Sequence, residues 1–352
     1  MYAFLSDIHL GTKLPKVDYL HSLDTFLELI KKNEEPCECI FVCGDLFDHR
    51  LTIDEAKFAA LFLLNLVDNR CGKNGRTNVP VRIIHGTYSH DYNQMEIFLP
   101  MLQRIDNVDV QYFNHAAIGK LPNGKKVLYL PQEYGNIDYT EAFSQTYDII
   151  VGHGPIASAI KSPCPASRND IVLPVETLGE ISKICVFGHY HEYTDFGNNV
   201  YYTGSMLRFR YGEPIPKVFF FCDNDFNVTT VRNNWALEYV TVDVYSPEEL
   251  RTHLSKEITT PHRFMIHTDN SDLETYHAIM NVYKQNQMIS YRIFTEQKDD
   301  TNEETIVEKE FKPTSIIEPI PDLLKYISDR YDLDVSNEIH SYETKINRDA
   351  KD

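Results

Sequence analysis

The sequence lacks the features of a membrane-spanning or secreted protein. Its longest apolar runs, Phe58–Val67 and Val218–Cys222, fall far short of the ~20 residues that a membrane helix needs. The first residues, Met1–Asp7, do not combine a basic segment with an apolar one, so we expect no secretory signal. The seven cysteines form an odd set without a Cys-x-x-Cys pair, which argues against a disulfide framework and a zinc ribbon. We therefore expect a cytoplasmic protein with no membrane partner.

Basic charge is scarce as well. The 34 lysines and arginines are outnumbered by 52 aspartates and glutamates, and the formal net charge is −18. This acidity argues against broad, non-specific binding to nucleic acid, because phosphate affinity normally comes from lysine and arginine. Residues 296–352, with 16 acidic and 8 basic side chains, are especially acidic. A composition with 42% hydrophobic residues is typical of a globular protein, and the length indicates more than one domain.

Apolar and amphipathic segments predict an α/β core over residues 1–244. Runs rich in β-branched and aromatic residues predict strands at Tyr2–Leu5, Ile40–Cys43, Val79–Ile84, Lys126–Leu130, Ile149–Val151, Ile184–Phe187, Val200–Thr203, Val218–Phe221 and Tyr239–Val244. Helical spacing of apolar side chains predicts helices at Tyr19–Ile30, Ile53–Val67 and Met95–Ile105. Because strands dominate after Gly124, we expect a sheet system larger than one doubly wound layer.

A small α+β unit is predicted over residues 245–295. Ser246 has the sequence context of a helix N-cap, and a second helix, opened by Ser-Asp-Leu-Glu, is expected over Ser271–Gln287. Strands are expected at Arg263–His267 and Ile289–Thr295. Residues 296–352 then form an acidic linker and a C-terminal segment in which Ile316–Tyr331 has the apolar spacing of an amphipathic helix.

Potential metal ligands follow several of the predicted strands. The motifs are Ser6–His9, Gly44–Asp48, Gly86–Asp91, Gly152–Gly154 and Gly188–His191. Each alone is typical of a turn, but the carboxyl ends of parallel strands meet at one sheet edge, where α/β proteins bind ligands. Period-two alternation would place Asp7 and His9 on one side of the chain, and likewise His189 and His191.

Together these motifs indicate a centre for two divalent cations. Mixed carboxylate and imidazole ligands suit Mn²⁺, Fe²⁺ or Zn²⁺ better than Ca²⁺, and the absence of cysteine among them argues against a structural zinc. The groups outnumber the ligands that one ion requires. Two ions about 3.5–4 Å apart, bridged by Asp45, would use them all.

These motifs resemble those of the calcineurin-like metallophosphoesterases. Gly44–Asp48 and the block Thr203–Glu213, which contains Gly204-Ser205 and ends in an acidic residue, are also similar to the SbcD-type DNA-repair nucleases, and most of all to their bacteriophage versions, the recombination endonuclease subunits. The likeness covers Met1 to about Val244, and the α+β unit stands where that subfamily carries its capping domain. The resemblance implies a four-layer α/β/β/α sandwich.

The resemblance also implies a role for each side chain of the site. It implies two divalent ions, Mn²⁺ first, with Mg²⁺ or Fe²⁺ as alternatives. One ion would bind Asp7, His9, His191 and the bridging Asp45; the other would bind Asp45, His153 and His189. His90 would be the catalytic histidine that binds no metal and lies beside the scissile phosphate.

The third motif departs from the family pattern of Gly-Asn-His, in which the asparagine carbonyl is a ligand. Here Ser89 stands before His90, and two residues are inserted after Gly86. A hydroxyl is a shorter and poorer neutral ligand than an amide, so the second ion is expected to be held more weakly. The sequence leaves open whether Ser89, Thr87 or a water molecule fills the position.

Other side chains have both a functional and an ordinary interpretation. Asp91 is expected to orient a histidine, and His49 either contacts substrate or belongs to the surface. Arg208, Arg210 and Lys217 surround the Gly-Ser segment and either hold DNA phosphates or make surface ion pairs. Ordinary packing is expected for His85 and His115, and solvent exposure for His21, His253, His262, His277 and His340.

The leading hypothesis is a Mn²⁺-dependent DNA exonuclease with endonuclease activity, the catalytic subunit of an SbcCD-like recombination and repair complex. Its location would be the host cytoplasm if the protein is phage-encoded. The resemblance implies a homodimer and an SbcC-type ATPase partner, docked through Ile316–Tyr331. Two alternatives stay open: a stand-alone phosphodiesterase or phosphatase acting on nucleotides or phosphoproteins, and a degenerate scaffold that only binds metal.

Overall fold

The computed structural model describes residues 1–72, 77–135, 137–157, 170–213, 216–258, 262–268, 271–283, 289–295 and 309–311. Within these ranges no helix is long and apolar enough to cross a membrane. The chain divides into two compact units. The first comprises Met1–Thr12, Tyr19–Arg208 and Glu213–Ala236, and the second comprises Lys13–Asp18, Phe209–Gly212 and the described residues from Leu237 onward. The expected linker Glu296–Glu304, the helix Ile316–Tyr331 and His340 lie outside the described residues.

Strands and helices alternate through the first part of the chain, as the sequence predicts. In chain order the elements are β1 Tyr2–Leu5, α1 Lys16–Lys32, β2 Cys39–Cys43, α2 Ile53–Val67, β3 Val81–Ile84, α3 Tyr88–Asp91, α4 Met95–Leu102, β4 Val110–Phe113, β5 Ala117–Lys120, β6 Lys126–Leu130, α5 Thr140–Phe143, β7 Tyr147–His153, β8 Ile156–Ala157, β9 Leu173–Pro174, α6 Val175–Glu180, β10 Ser182–Gly188, β11 Thr194–Asp195, β12 Val200–Tyr202, β13 Val218–Cys222 and β14 Val228–Arg232.

Two six-stranded sheets form the centre of the first unit. In the first sheet, of order β14-β13-β1-β2-β3-β4, strands β1 to β4 are parallel; β13 runs antiparallel to β1, and β14 runs antiparallel to β13. In the second, of order β11-β12-β10-β7-β6-β5, the central strands β12, β10, β7 and β6 are parallel. One apolar cluster joins buried side chains of both sheets, including Phe4 and Phe41 with Tyr129 and Val186. The predicted mixed α/β fold with parallel strands is confirmed.

A helix packs against each of the two sheets. Phe26 of α1 packs against the rings of Phe219 and Phe221 on β13, while the intervening Phe220 belongs to the shared core. On the second sheet, α6 contributes Val175 and Leu178 to a separate buried cluster with β10 and β12. Each sheet thus buries apolar side chains against a helix as well as in the shared core.

The second unit is a smaller α+β layer. Its elements are β15 Val240–Val244, α7 Pro247–Leu254, β16 His262–Thr268, α8 Leu273–Val282, β17 Ile289–Thr295 and β18 Lys309–Phe311. The first three strands are parallel and β18 is antiparallel. The Ser246 hydroxyl accepts a hydrogen bond from the Glu249 amide at 3.2 Å, which confirms the predicted N-cap. Strand β15, expected at the end of the core, pairs with β16 and therefore extends this sheet instead.

Other differences from the sequence prediction are the short helices α3, α5 and α6, which were not predicted, and several edges and ends of elements. Helix α8 begins at Leu273, two residues later than predicted, and ends at Val282, and its N-cap Asp272 makes no side-chain capping bond. Residues 284–287 of the predicted helix lie outside the described residues. The sequence did not predict the edge strands β4, β5 and β14. Most of their side chains are partly or fully exposed, and the apolar signal of a buried strand is correspondingly weak.

Tyr202 holds the loop that follows β7, and its loss should destabilise the first unit. Its buried hydroxyl accepts from the Ile156 amide at 2.8 Å and donates to the Gly154 carbonyl at 3.0 Å. Tyr202→Phe leaves both groups unsatisfied, and we expect a loss of about 1–3 kcal/mol in unfolding free energy by urea denaturation. Tyr201→Phe on the same strand is the matched control. Equal stability of the two variants would contradict this role.

Candidate metal centre

The first two motifs are held against each other by hydrogen bonds between their loops. The Asp7 amide donates to the Gly44 carbonyl at 3.1 Å, and the His9 amide donates to the Asp45 carbonyl at 3.0 Å. Asp7, His9 and Asp45 all have φ near +50°, a left-handed conformation that costs a non-glycine residue about 1–2 kcal/mol. Strand β1 ends at Leu5, so the alternation expected for Asp7 and His9 is wrong. The turns bring the two side chains together instead.

Three glycines allow the loops to approach one another closely. A Cβ atom at Gly44 would collide with the His153 ring, and one at Gly86 would collide with the backbone and carboxylate of Asp45. At Gly188 it would collide with Ser6 and with the Cys43 carbonyl. Gly44 also has φ +81°, which a side chain would strain. The second, third and fifth motifs therefore require glycine at these positions.

The structure collects the predicted ligands into two neighbouring groups. Asp7, His9 and His191 form the first, and Asp45, His153 and His189 form the second; within each group the candidate donor atoms lie within 4.8 Å of one another. In the first, the Nε2 atoms of His9 and His191 are 3.1 Å apart. His189 and His191 therefore fall in different groups.

Asp45 lies between the two groups. Its Oδ1 is 3.2 Å from His153 Nε2, and its Oδ2 is 3.9 Å from His9 Nε2. Burial alone would raise the pKa of Asp45, but His153, together with His9 and His90, outweighs burial and holds the pKa far below its ordinary value. The residue is thus a buried anion between the two groups, as a bridging ligand requires.

The donor set fits divalent cations. Burial lowers the pKa of His153, but the Asp45 carboxylate reverses this effect and raises the pKa to about 9. Burial and the charge of His153 lower the pKa of His189 to about 4, so its ring is neutral near pH 7. A proton on His153 thus compensates the buried anion, and a cation would supply that charge instead. Carboxylate oxygens and neutral imidazoles are the donors that Mn²⁺, Fe²⁺ and Zn²⁺ accept.

Hydrogen bonds from Nδ1 fix the orientation of two imidazoles of the site. His153 Nδ1 donates to the Cys43 carbonyl at 2.7 Å, and His90 Nδ1 donates to the Asp48 carbonyl at 2.6 Å. Because a carbonyl oxygen only accepts, Nδ1 carries the proton in both rings. Nε2 of His153 then faces Asp45. Such bonds are typical of histidines that bind metal or transfer a proton.

Glu213 orients a third ring, and sequence analysis did not assign it to the site. Its Oε1 is 3.2 Å from His191 Nδ1, and its Oε2 accepts from Lys217 Nζ at 2.7 Å. Burial would raise the pKa of Glu213, but the hydrogen bond to His191 and the charge of Lys217 lower it to about 2. Its place at the end of the Gly-Ser block was the only signal in the sequence.

The third motif places Thr87, not Ser89, beside the second group. Thr87 Oγ1 is 3.3 Å from Asp45 Oδ2 and 3.5 Å from His153 Nε2. Ser89 lies in the short helix α3 with an exposed side chain. Thr87 directly follows Gly86, so the two extra residues fall between the ligand position and His90. The structure therefore brings His90 close to His9 and Asp48, with donor atoms within 4.8 Å.

Asp91 and His49 support the second motif from two sides. The buried Asp91 carboxylate accepts from the Phe47 amide at 3.0 Å and from the Gly86 amide at 2.7 Å, and burial, with the charge of Asp45, raises its pKa to about 7. His49 is partly exposed and lies 3.1 Å from Asp48 and 3.3 Å from Glu55. Asp91 therefore ties the second and third loops together.

The basic residues of the Gly-Ser block are mostly internal. Arg208 is 2% exposed and Lys217 is 4% exposed, whereas Arg210 is exposed. Lys217 Nζ donates to the His191 carbonyl and to Ser205 Oγ in addition to Glu213. Arg208 and Lys217 are thus buried and do not form a surface for DNA; Lys217 makes its ion pair with Glu213 inside the site.

The histidines outside the motifs are also placed differently from expectation. His21, His253, His262 and His277 are half-buried, and the His21 ring lies 4.2 Å from that of Trp235. His85 is packed as expected, with Nδ1 2.6 Å from the Tyr112 hydroxyl. The His115 side chain is 80% exposed, so the packing expected for it is wrong.

Carboxylates and imidazoles clustered at the ends of parallel strands form a candidate centre for divalent cations, and comparison with known families gives its class, the metal-dependent phosphoester hydrolases. The family model described as calcineurin-like phosphoesterase matches residues 2–193, more than half of the chain. The chain belongs to this family. No curated protein matches the chain at a significant level.

The steric role of Gly44 can be separated from its backbone conformation. Gly124 has φ +84°, close to that of Gly44, but a Cβ atom there would contact nothing within 4 Å. Gly124→Ala should cost only the conformational strain of about 1–2 kcal/mol. Gly44→Ala should cost a further ~1–3 kcal/mol through its collision with His153, and it should weaken Mn²⁺ binding. Urea denaturation and calorimetric titration measure both effects, and equal losses would refute the proposed close approach.

Proposed function

We propose that the protein is a Mn²⁺-dependent DNA nuclease, an exonuclease with endonuclease activity that uses two divalent ions. In this proposal the first ion is held by Asp7, His9 and His191, the second by His153 and His189, and Asp45 bridges them. The protein would be the catalytic subunit of an SbcCD-like recombination and repair complex. The four-layer α/β/β/α description of the first unit and a capping role for the second unit belong to the same proposal.

The contact between Glu213 and His191 is the observation that supports a nuclease in particular among the phosphoesterases. The block Thr203–Glu213 is the part of the sequence that resembles SbcD-type nucleases, and Glu213 Oε1 lies 3.2 Å from His191 Nδ1. The Ser205 amide donates to the His191 carbonyl at 3.2 Å as well. The block thus positions a ligand of the first group directly. This contact favours an SbcD-like site over that of a general phosphatase.

The residues of the site divide the work of hydrolysis between them. The bound ions would activate the attacking water and offset the charge of the phosphodiester. Asp45 stays ionised and keeps the two ligand groups at a fixed separation. His90, held through Nδ1 by the Asp48 carbonyl, would in its doubly protonated form donate the Nε2 proton to the leaving oxygen or stabilise charge on the phosphate. Its ring centroid is 4.9 Å from that of His9, next to the first group.

The acidity of the chain supports the need for partners. A net charge of −18 gives little electrostatic attraction for DNA, so an SbcC-type ATPase would hold the DNA while this chain cuts it. The segment Ile316–Tyr331 has the apolar spacing of a docking helix and is proposed as the contact with the ATPase. A homodimer is also part of the proposal.

The proposed activity can be tested with labelled single- and double-stranded DNA and Mn²⁺, with and without an SbcC-type ATPase. We expect metal-dependent cleavage by the wild-type chain. His90→Ala should lower kcat by about 10²–10⁴-fold, because a proton donor is lost, while the Mn²⁺ content stays the same. His115→Ala is the control: it removes a histidine whose side chain is 80% exposed and which belongs to neither ligand group, so kcat should stay unchanged.

Two other results would replace the proposal. Hydrolysis of p-nitrophenyl esters without cleavage of any DNA would favour a stand-alone phosphodiesterase or phosphatase. Bound metal without hydrolysis of either substrate would favour the scaffold.

A further inference from the structure

Gln132 is a buried amide next to the second ligand group. It follows β6, which pairs in parallel with β7, and the register sets Leu130 opposite Gly152, one residue before His153. Its side chain is packed near Gly154, and its main-chain N–H donates to the His85 carbonyl at 3.3 Å. Gln132 is 7% exposed. The end of β6 therefore delivers an amide side chain to the edge where His153 stands.

The oxygen and nitrogen atoms around Thr87 have the spacing of ligands that share one ion. Thr87 Oγ1 lies 3.0 Å from Gln132 Oε1, 3.3 Å from Asp45 Oδ2 and 3.5 Å from His153 Nε2. Ligands at ~2.0–2.2 Å from a metal are about 3 Å apart at right angles and about 3.4 Å apart in a tetrahedron. All three distances are close to these values.

Hydrogen bonds fix which end of the Gln132 amide faces the group. Its Nε2 donates towards Asp170 Oδ1 at 3.5 Å, on the side away from Thr87. The carbonyl oxygen is thereby left facing the Thr87 hydroxyl. Thr87 is itself held in place because its main-chain amide donates to Asp45 Oδ1 at 2.5 Å. Both oxygens are thus oriented before any ion arrives, and neither adds charge.

We propose that the Gln132 carbonyl, together with the Thr87 hydroxyl, completes the second ligand group and takes the place of the asparagine amide in the family pattern. The inference rests on the two-ion site proposed above. Thr87 alone is too short to replace an amide side chain, and Gln132 supplies the missing amide oxygen from a different strand. Asp45, His153, His189, Thr87 and Gln132 then form one set of neutral and anionic donors.

Mn²⁺ titration of the full-length chain tests this assignment without a substrate. Isothermal titration calorimetry, with bound ions counted by electron paramagnetic resonance, should find two sites in the wild-type chain. Gln132→Leu should raise the Kd of one site by about 10–100-fold and leave the other unchanged. Gln132→Glu, which keeps an oxygen at the same place, should restore most of that affinity. Ser89→Ala, which alters the exposed hydroxyl of the same motif, should bind both ions like the wild type.

The outcomes separate this inference from the proposed function. Two ions bound to Gln132→Leu with wild-type affinities would overturn the role of Gln132 alone. If Gln132→Leu and Gln132→Glu weaken Mn²⁺ binding equally, or if either variant loses both sites, Gln132 has a packing role and the inference is overturned. A single ion in the wild-type chain would overturn both proposals. Two ions bound to a chain that cleaves no DNA would reject the nuclease and leave the Gln132 ligand supported.

Discussion

The site depends on one buried anion, the carboxylate of Asp45. Burying an unpaired carboxylate costs several kcal/mol, so the side chain is stable there only if positive charge and hydrogen-bond donors surround it. His153 stands 3.2 Å from one of its oxygens, and the Thr87 amide donates to the same oxygen. The fourth and third motifs are thereby tied to the second by a single group. Two of the ligand loops take their positions from the requirement to compensate this charge.

The backbone around Asp45 is shaped by the same requirement. Asp7, His9 and Asp45 adopt positive φ angles, and Gly44, Gly86 and Gly188 stand where any side chain would collide with a neighbouring loop. Strained turns of this kind cost free energy and persist only where surrounding structure determines them. Here that structure is the core shared by the two sheets, which fixes the positions of the strand ends from which the loops begin. Core packing therefore offsets the strain that the site requires.

Sequence reasoning found most of the ligand groups because glycine-flanked polar residues after apolar strands are a local pattern. Parallel pairing then brings the ends of those strands together, as it does for His153 and His189. The alternation argument failed because β1 stops at Leu5 and the following residues turn.

Gln132 follows its strand without a flanking glycine, and Glu213 lies far along the chain from His191. Their positions depend on tertiary contacts, which one sequence does not specify. The edge strands β4, β5 and β14 were missed since half-exposed strands carry little apolar signal.

The net charge of −18 has a different meaning once the ligand groups are known. Charges are screened over about 8 Å at physiological ionic strength, so a phosphate responds mainly to its nearest neighbours and little to the total. In the two ligand groups and beside them those neighbours include Asp7, Asp45 and Asp48, with His153 as the main compensating cation. Two divalent ions would add four positive charges there and reverse the local sign, whereas the rest of the surface would stay acidic. An acidic chain of this kind gives little general attraction for a polyanion, and in the proposed function its affinity for phosphate would come from the bound metal. Under the proposed function, the acidity is consistent with a substrate delivered by a partner, and it does not argue against phosphodiester hydrolysis itself.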